Sequence, residues 1–145
     1  MDFFSSMRIS ATGMNAQQTR MNTISSNLAN AETTETEEGG AYRRQDPIFE
    51  AQPDRETFGE ILAGRMDEHA QGVQVTEIQK DPKPPRMVYN PNHPHANKEG
   101  YVAMPNVNPV EEMANMISAT RSYEANVTAL NAAKGMAQKA LEIGK

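Results

Sequence analysis

Two imidazoles one residue apart, His93 and His95 in Asn-Pro-Asn-His-Pro-His, form the most metal-like run in this sequence. Such a pair can share a divalent ion when further donors join it, and Asp81 and Glu99 are the oxygen donors nearest in sequence. The third histidine, His69, belongs to a separate segment, so the run reads instead as a Pro-rich loop with solvent-facing histidines. No metal ligand is assigned. Acidic pairs occur at Glu37-Glu38, Asp67-Glu68 and Glu111-Glu112. General acid–base chemistry needs carboxylates that share a cleft and have separated pKa values. Neighbours in sequence do not face one another, so these pairs read as solvated charge.

The chain has no cysteine, which excludes disulfides, thiolate metal sites and thiol nucleophiles. It also lacks a phosphate-cradling glycine loop, a Gly-x-Ser-x-Gly nucleophile turn and a His-Glu-x-x-His metal helix. An enzyme reading is therefore left without catalytic or cofactor-binding residues to name, and no cofactor is expected.

Composition points toward burial between molecules. Of 145 residues only 37% are hydrophobic and 6% aromatic, with no Trp. A core would have to be built from Ala, Met and a few Val, Ile and Leu. The net charge of −5 is concentrated in the middle of the chain, and no basic stripe emerges. Nucleic acid therefore has no electrostatic footprint to bind. The start, MDFFSSMRIS, has no cationic segment followed by an apolar run, so no cleaved signal peptide is expected. No stretch reaches the roughly 18 apolar residues of a membrane span, and direct membrane insertion is not expected.

All nine prolines lie between Pro47 and Pro109, leaving both ends free of this helix breaker. Met7, Met14, Met21 and Leu28 recur at heptad spacing, with Phe3, Ser10, Gln17, Ile24 and Ala31 on the companion line. This predicts a helix over about Ser5 to Asn30. A second helix is predicted from Asn108, with Asn108 as cap, Pro109 in the first turn and Glu111 reaching back to the cap. Along it Met113, Thr120, Val127 and Leu141 alternate with Met116, Tyr123, Leu130 and Ala137, and Lys134 is the charged intruder. Between Ile9 and Ala31 the only charge is Arg20. A solvated helix would show Glu–Lys pairs at helical spacing. Amide and hydroxyl faces suit close packing against other polypeptide, although an ordinary two-helix hairpin with a polar surface is the plainer alternative.

The middle predicts short strands at Ala41 to Glu50, Gly72 to Lys80, Met87 to Tyr89 and Tyr101 to Met104. Arg55 to Ala70 carries Phe58, Ile61, Leu62 and Met66 at helical spacing, weakened by Gly59 and Gly64. The expected fold is α+β: terminal helices in 1–35 and 108–145 pair in coiled-coil fashion, and 36–107 forms a small β-rich module with long loops.

The run Asn22-Thr23-Ile24-Ser25-Ser26-Asn27-Leu28-Ala29-Asn30-Ala31-Glu32-Thr33 resembles the N-terminal signature of the flagellar axial proteins. Tyr101 to Asn108, Val110 to Met113, and Asn115 to Val127 are similar to the proximal rod members of that family. Asp81-Pro82, Pro84-Pro85-Arg86, Val88-Tyr89 and Asn92-His93-Pro94 agree with the same pattern, whereas Thr34 to Glu38 and Asp54 to His69 match none. The resemblance implies a structural rod subunit, exported by the flagellar type III apparatus without signal cleavage and polymerised in the periplasmic space into a shaft that transmits torque. Implied partners are further copies, other proximal and distal rod subunits, and the export and MS-ring region at the base. Other axial subunits and a secreted coiled-coil adaptor are the rival readings. The assembly interface is expected to use Met14, Met21, Ile24 and Leu28 against Met113, Met116, Ile117, Tyr123, Val127 and Leu130, within or between subunits. Asn27 and Asn30 are expected to end the first helix by satisfying its last carbonyls.

Overall fold

The computed structural model describes residues 3–52 and 71–143; the helix-like segment read at Arg55 to Ala70 lies outside them. The element order is α1 (Phe3–Ala29), β1 (Gln45–Gln52), β2 (Gly72–Lys80), β3 (Arg86–Tyr89), β4 (Tyr101–Met104) and α2 (Pro109–Ile143). The α+β class with long terminal helices holds. In the middle β1 pairs antiparallel with β2, and β3 pairs antiparallel with β4, as two separate two-stranded ribbons. α1 packs along α2 on one side and against the β1–β2 ribbon on another.

Polar residues are tolerated in these helices because they turn their hydrogen bonds back on their own backbone. Thr12, Thr19 and Thr23 donate to the carbonyls of Ile9, Asn15 and Thr19 at 2.8, 3.1 and 3.0 Å. In α2, Thr120, Asn126 and Thr128 do the same to Met116, Ser122 and Glu124, each at 2.9 Å. A hydroxyl satisfied in this way can be buried without an outside partner, and Thr23 is buried.

The helix ends are specified locally. Asn30 donates from its side chain to the Ser26 carbonyl at 2.9 Å, as expected of a residue closing α1. The following turn folds back through Gly39 and Gly40, whose φ of 87° and 81° suit glycine, and Lys80 pairs with Glu38 at 2.5 Å. That ammonium, by hydrogen bond first and charge second, holds the exposed Glu38 carboxyl below its ordinary range. At the start of α2, Asn108 Oδ1 accepts from Val110 N at 3.1 Å, as a cap should. Glu111 shows no return bond to the cap among the described residues; the residue turned inward there is Glu112.

Small side chains set the spacing of the elements. Ala16, Ile24, Ala119 and Ala133 are buried in the helical part, and Val102 and Val107 in a second small core around β4. β2 enters against α1 at Gly72, where an added Cβ would stand 2.8 Å from Thr12 Oγ1. The same hydroxyl accepts from Val73 N at 3.2 Å, fixing the ribbon to the helix. A register shift between Ile48 and Phe49 then bends the ribbon as it runs along α1. Replacing Gly72 with Val is expected to back the ribbon off α1 and cost about 1–3 kcal/mol. Urea unfolding followed by circular dichroism checks this, and an unchanged midpoint would mean that the close approach does not hold the ribbon.

A buried polar hub and the helix seam

Where α1 ends, Asn27 is completely buried and uses its whole hydrogen-bonding capacity. Its Nδ2 donates to the Gln45 carbonyl at 2.8 Å and to Glu112 Oε2 at 3.1 Å. Its Oδ1 accepts from Gln45 N at 2.8 Å and from the Tyr42 hydroxyl at 3.0 Å. To the start of β1, Asn27 therefore acts like the edge of a neighbouring strand. Asn27 does not end the helix, as expected from the sequence, but joins α1 to β1 and α2. Only Asn30 has the terminating role.

Glu112 is 1% exposed, so its carboxylate depends entirely on protein donors. Arg44 supplies one, Nε to Oε1 at 2.8 Å, and spends its Nη1 on Asp46 at 2.8 Å. Burial alone would lower the Arg44 pKa. The hydrogen bonds and charges of Asp46 and Glu112 outweigh that and raise it, so the guanidinium stays charged. Sequence reading missed this cluster by treating Glu111-Glu112 as solvated charge. A signal was present: Glu112, Ala119, Asn126 and Ala133 recur every seven residues, but as a line of polar and small residues it is invisible to a search for apolar periodicity.

That line faces α1. Asn27 meets Glu112, and Gly13 abuts Asn126, whose amide would stand 3.1 Å from an added Cβ; on the exposed flank beside the line, Met21 Sδ lies 3.6 Å from Thr120 Oγ1. Advancing along one helix while receding along the other, these contacts fix an antiparallel pair. Of the residues expected at the interface, Ile24 and Asn27 are buried, and Met116, Tyr123 and Leu130 are partly covered on the heptad companion line of the seam. Met14 and Met21, with Val127, are half-buried along its flank. Leu28, Met113 and Ile117 are 37%, 48% and 57% exposed. The apolar heptads therefore do not all point into the pair. Lys134 and Leu141 are also exposed, so the expected inward seam does not include them. On α1, Gln17 Oε1 is buried without a hydrogen-bond partner among the described residues.

His93 and His95 lie edge to face with ring centroids 5.5 Å apart. Among the described residues no group of three or more His, Asp or Glu side chains converges on a metal-sized site, and no helix is long and apolar enough to cross a membrane.

The family model described as Flagella basal body rod protein matches residues 7–35, and that described as Flagellar basal body rod FlgEFG protein C-terminal matches residues 98–143. Across its full length the chain is 46% identical to the flagellar basal-body rod protein FlgC of Bacillus subtilis, also covered completely. It is 44% identical to the FlgC of Borreliella burgdorferi, over 99% of this chain and 98% of the relative. Identity to the FlgC of Aquifex aeolicus is 41%, over 100% and 99%.

Truncating Glu112 to Ala is expected to destabilise the chain by about 3–5 kcal/mol, because Arg44 and Asn27 would stay behind with unmet donors. Asn27→Ala together with Glu112→Ala should cost less than the sum of the single changes, since they act on one cluster. Strict additivity in the unfolding free energies would show that the hub is not a unit.

Proposed function

This chain belongs to the FlgC family of flagellar basal-body rod proteins, and on that premise we propose that it acts by presenting a preformed helix pair for lateral packing in the rod. It is a structural subunit of the rod, located in the flagellar basal body and associating with other rod components. The finer reading is a non-catalytic subunit of the proximal rod. It is exported without signal cleavage, polymerises in the periplasmic space, and transmits torque through contacts with further copies, with other proximal and distal rod subunits, and with the export and MS-ring region. Segments 1–35 and 108–145 work as one assembly unit and 36–107 as an outward module.

The observation that carries this reading is the division of apolar residues between two faces. Ile24 is buried inside the molecule, and Met116, Tyr123 and Leu130 are partly covered there. Val110, Met113 and Ile117 on α2, with Leu28 at the end of α1, are left 69%, 48%, 57% and 37% exposed. The contact of Met21 with Thr120 places the line Met14, Met21 and Leu28 beside the line Met113, Thr120 and Val127. One flank of the pair thus carries an apolar stripe that no element among the described residues covers. Exposed apolar patches of this kind mark interaction sites, and methionine side chains adapt to neighbours of differing shape. The other solvent stripe of α1, Asn15, Gln18, Asn22 and Ser25, is exposed and uncharged, so covering it would desolvate no ion.

The double substitution Met113→Glu with Ile117→Glu tests this reading. Both side chains are exposed, so circular dichroism of the purified chain should keep its helical content. Incorporation into isolated basal bodies and swimming through soft agar should both be lost. Swimming at the normal rate with the double variant in place would rule out the stripe as the assembly face.

A further inference from the structure

The β3–β4 ribbon packs against no helix and no other sheet among the described residues, and its two faces differ. Val102 is buried on one of them. The pairing of Met87 with Ala103 and of Tyr89 with Tyr101 puts Met87 and both tyrosines on the other. There Met87, Tyr89 and Tyr101 are 53%, 65% and 41% exposed. The two rings are nevertheless held in place. Their centroids lie 5.4 Å apart in an edge-to-face pair. The Tyr89 ring also lies over Gly100, where φ is 83° and an added Cβ would stand 2.9 Å from Tyr89 Cε2. A fixed aromatic ledge of this kind loses little side-chain freedom when a partner settles on it.

The ledge closes the Tyr89 end of the ribbon. At the Arg86 end the chain enters β3 through Lys83-Pro84-Pro85-Arg86, and all four residues are exposed. The prolines fix their own φ, so this run costs little to order. Lys83 and Arg86 line an open cleft with Asp81 and Glu111, yet neither forms an ion pair among the described residues. Extended proline runs dock on aromatic side chains, and a cation is drawn to the negative face of a tyrosine ring. The two ends of one ribbon are therefore complementary in shape and charge. We propose that the tyrosine ledge of one copy receives the Lys83–Arg86 run of a second copy. The contact joins unlike surfaces, so each copy keeps one end free and the association repeats in one direction. The ledge belongs to the middle module and acts independently of the helix flank.

The chain has no cysteine, so introduced single cysteines report the contact. Pro82→Cys marks the run from just outside it, and Lys98→Cys marks the ledge from the turn before Tyr101. Both chains also carry Met113→Glu and Ile117→Glu, so the helix flank cannot bring them together. Mixed and treated with a short bis-maleimide, the two should form a heterodimer at least about fivefold faster than either chain links to itself. Adding Lys83→Ala and Arg86→Ala to the first chain should slow the reaction about five- to thirtyfold, the range for two exposed cation–ring contacts. Tyr89→Ala with Tyr101→Ala in the second chain should slow it to a similar degree. No heterodimer, or equal rates for the mixture and for each chain alone, would overturn the proposal. A mixed rate that survives the loss of both cations would overturn it as well.

Discussion

Burying the Glu112 carboxylate obliges three distant pieces of chain to meet in one arrangement. A carboxylate withdrawn from water costs several kcal/mol unless donors surround it, and the donors come from the end of α1 and the approach to β1. Asn27 answers Glu112 while gripping both backbone groups of Gln45, so the ribbon cannot start elsewhere without exposing the cluster. From that origin β1 and β2 run back along α1 until Gly72 meets Thr12. The same anchor sets the register of α2, bringing Thr120 to Met21 and Asn126 to Gly13.

This arrangement resolves an apparent contradiction in the helices. They are rich in Ser, Thr, Asn and Gln, yet they pack closely. Hydroxyls and amides folded onto their own backbone behave as small, nearly inert surfaces, and Gly13, Ala16, Ala119 and Ala133 let the axes approach. The apolar side chains released from this duty are free for the outer flank. A seam that holds without much hydrophobic area leaves hydrophobic area for neighbours.

Much of the framework was legible in the residues. Gly72 to Lys80 alternates Val73 and Val75 in strand fashion, and Asn108-Pro109 announces a helix, so local chemistry alone placed these elements. The Asn30 cap was equally readable. The Asn27 hub was not, because its partners at Gln45 and Glu112 lie 18 and 85 residues away and nothing local marks them. The heptads left a third line unmarked for a related reason. Apolar periodicity identified the line of Met113 and Thr120 and the line of Met116, Tyr123 and Leu130, but the inward line of Glu112, Ala119, Asn126 and Ala133 owes its burial to close approach and saturation rather than to hydrophobicity. The gap between Glu111, expected at the cap, and Glu112, found in the hub, is one residue of rotation around the helix. Tertiary donors decide it.

A seam made of Gly13, Asn126, Ala119 and a saturated amide also shapes how the pair responds to temperature. The heat-capacity increment of unfolding grows with the apolar surface exposed and is reduced by polar surface. Separating these helices uncovers polar amide and hydroxyl surface beside the apolar area of Ile24, Met116, Tyr123 and Leu130. The free energy holding them together therefore follows a shallower curve than an all-apolar seam would give, with less weakening on cooling. The pair's cohesion changes less than an oily core's would as its surroundings warm and cool.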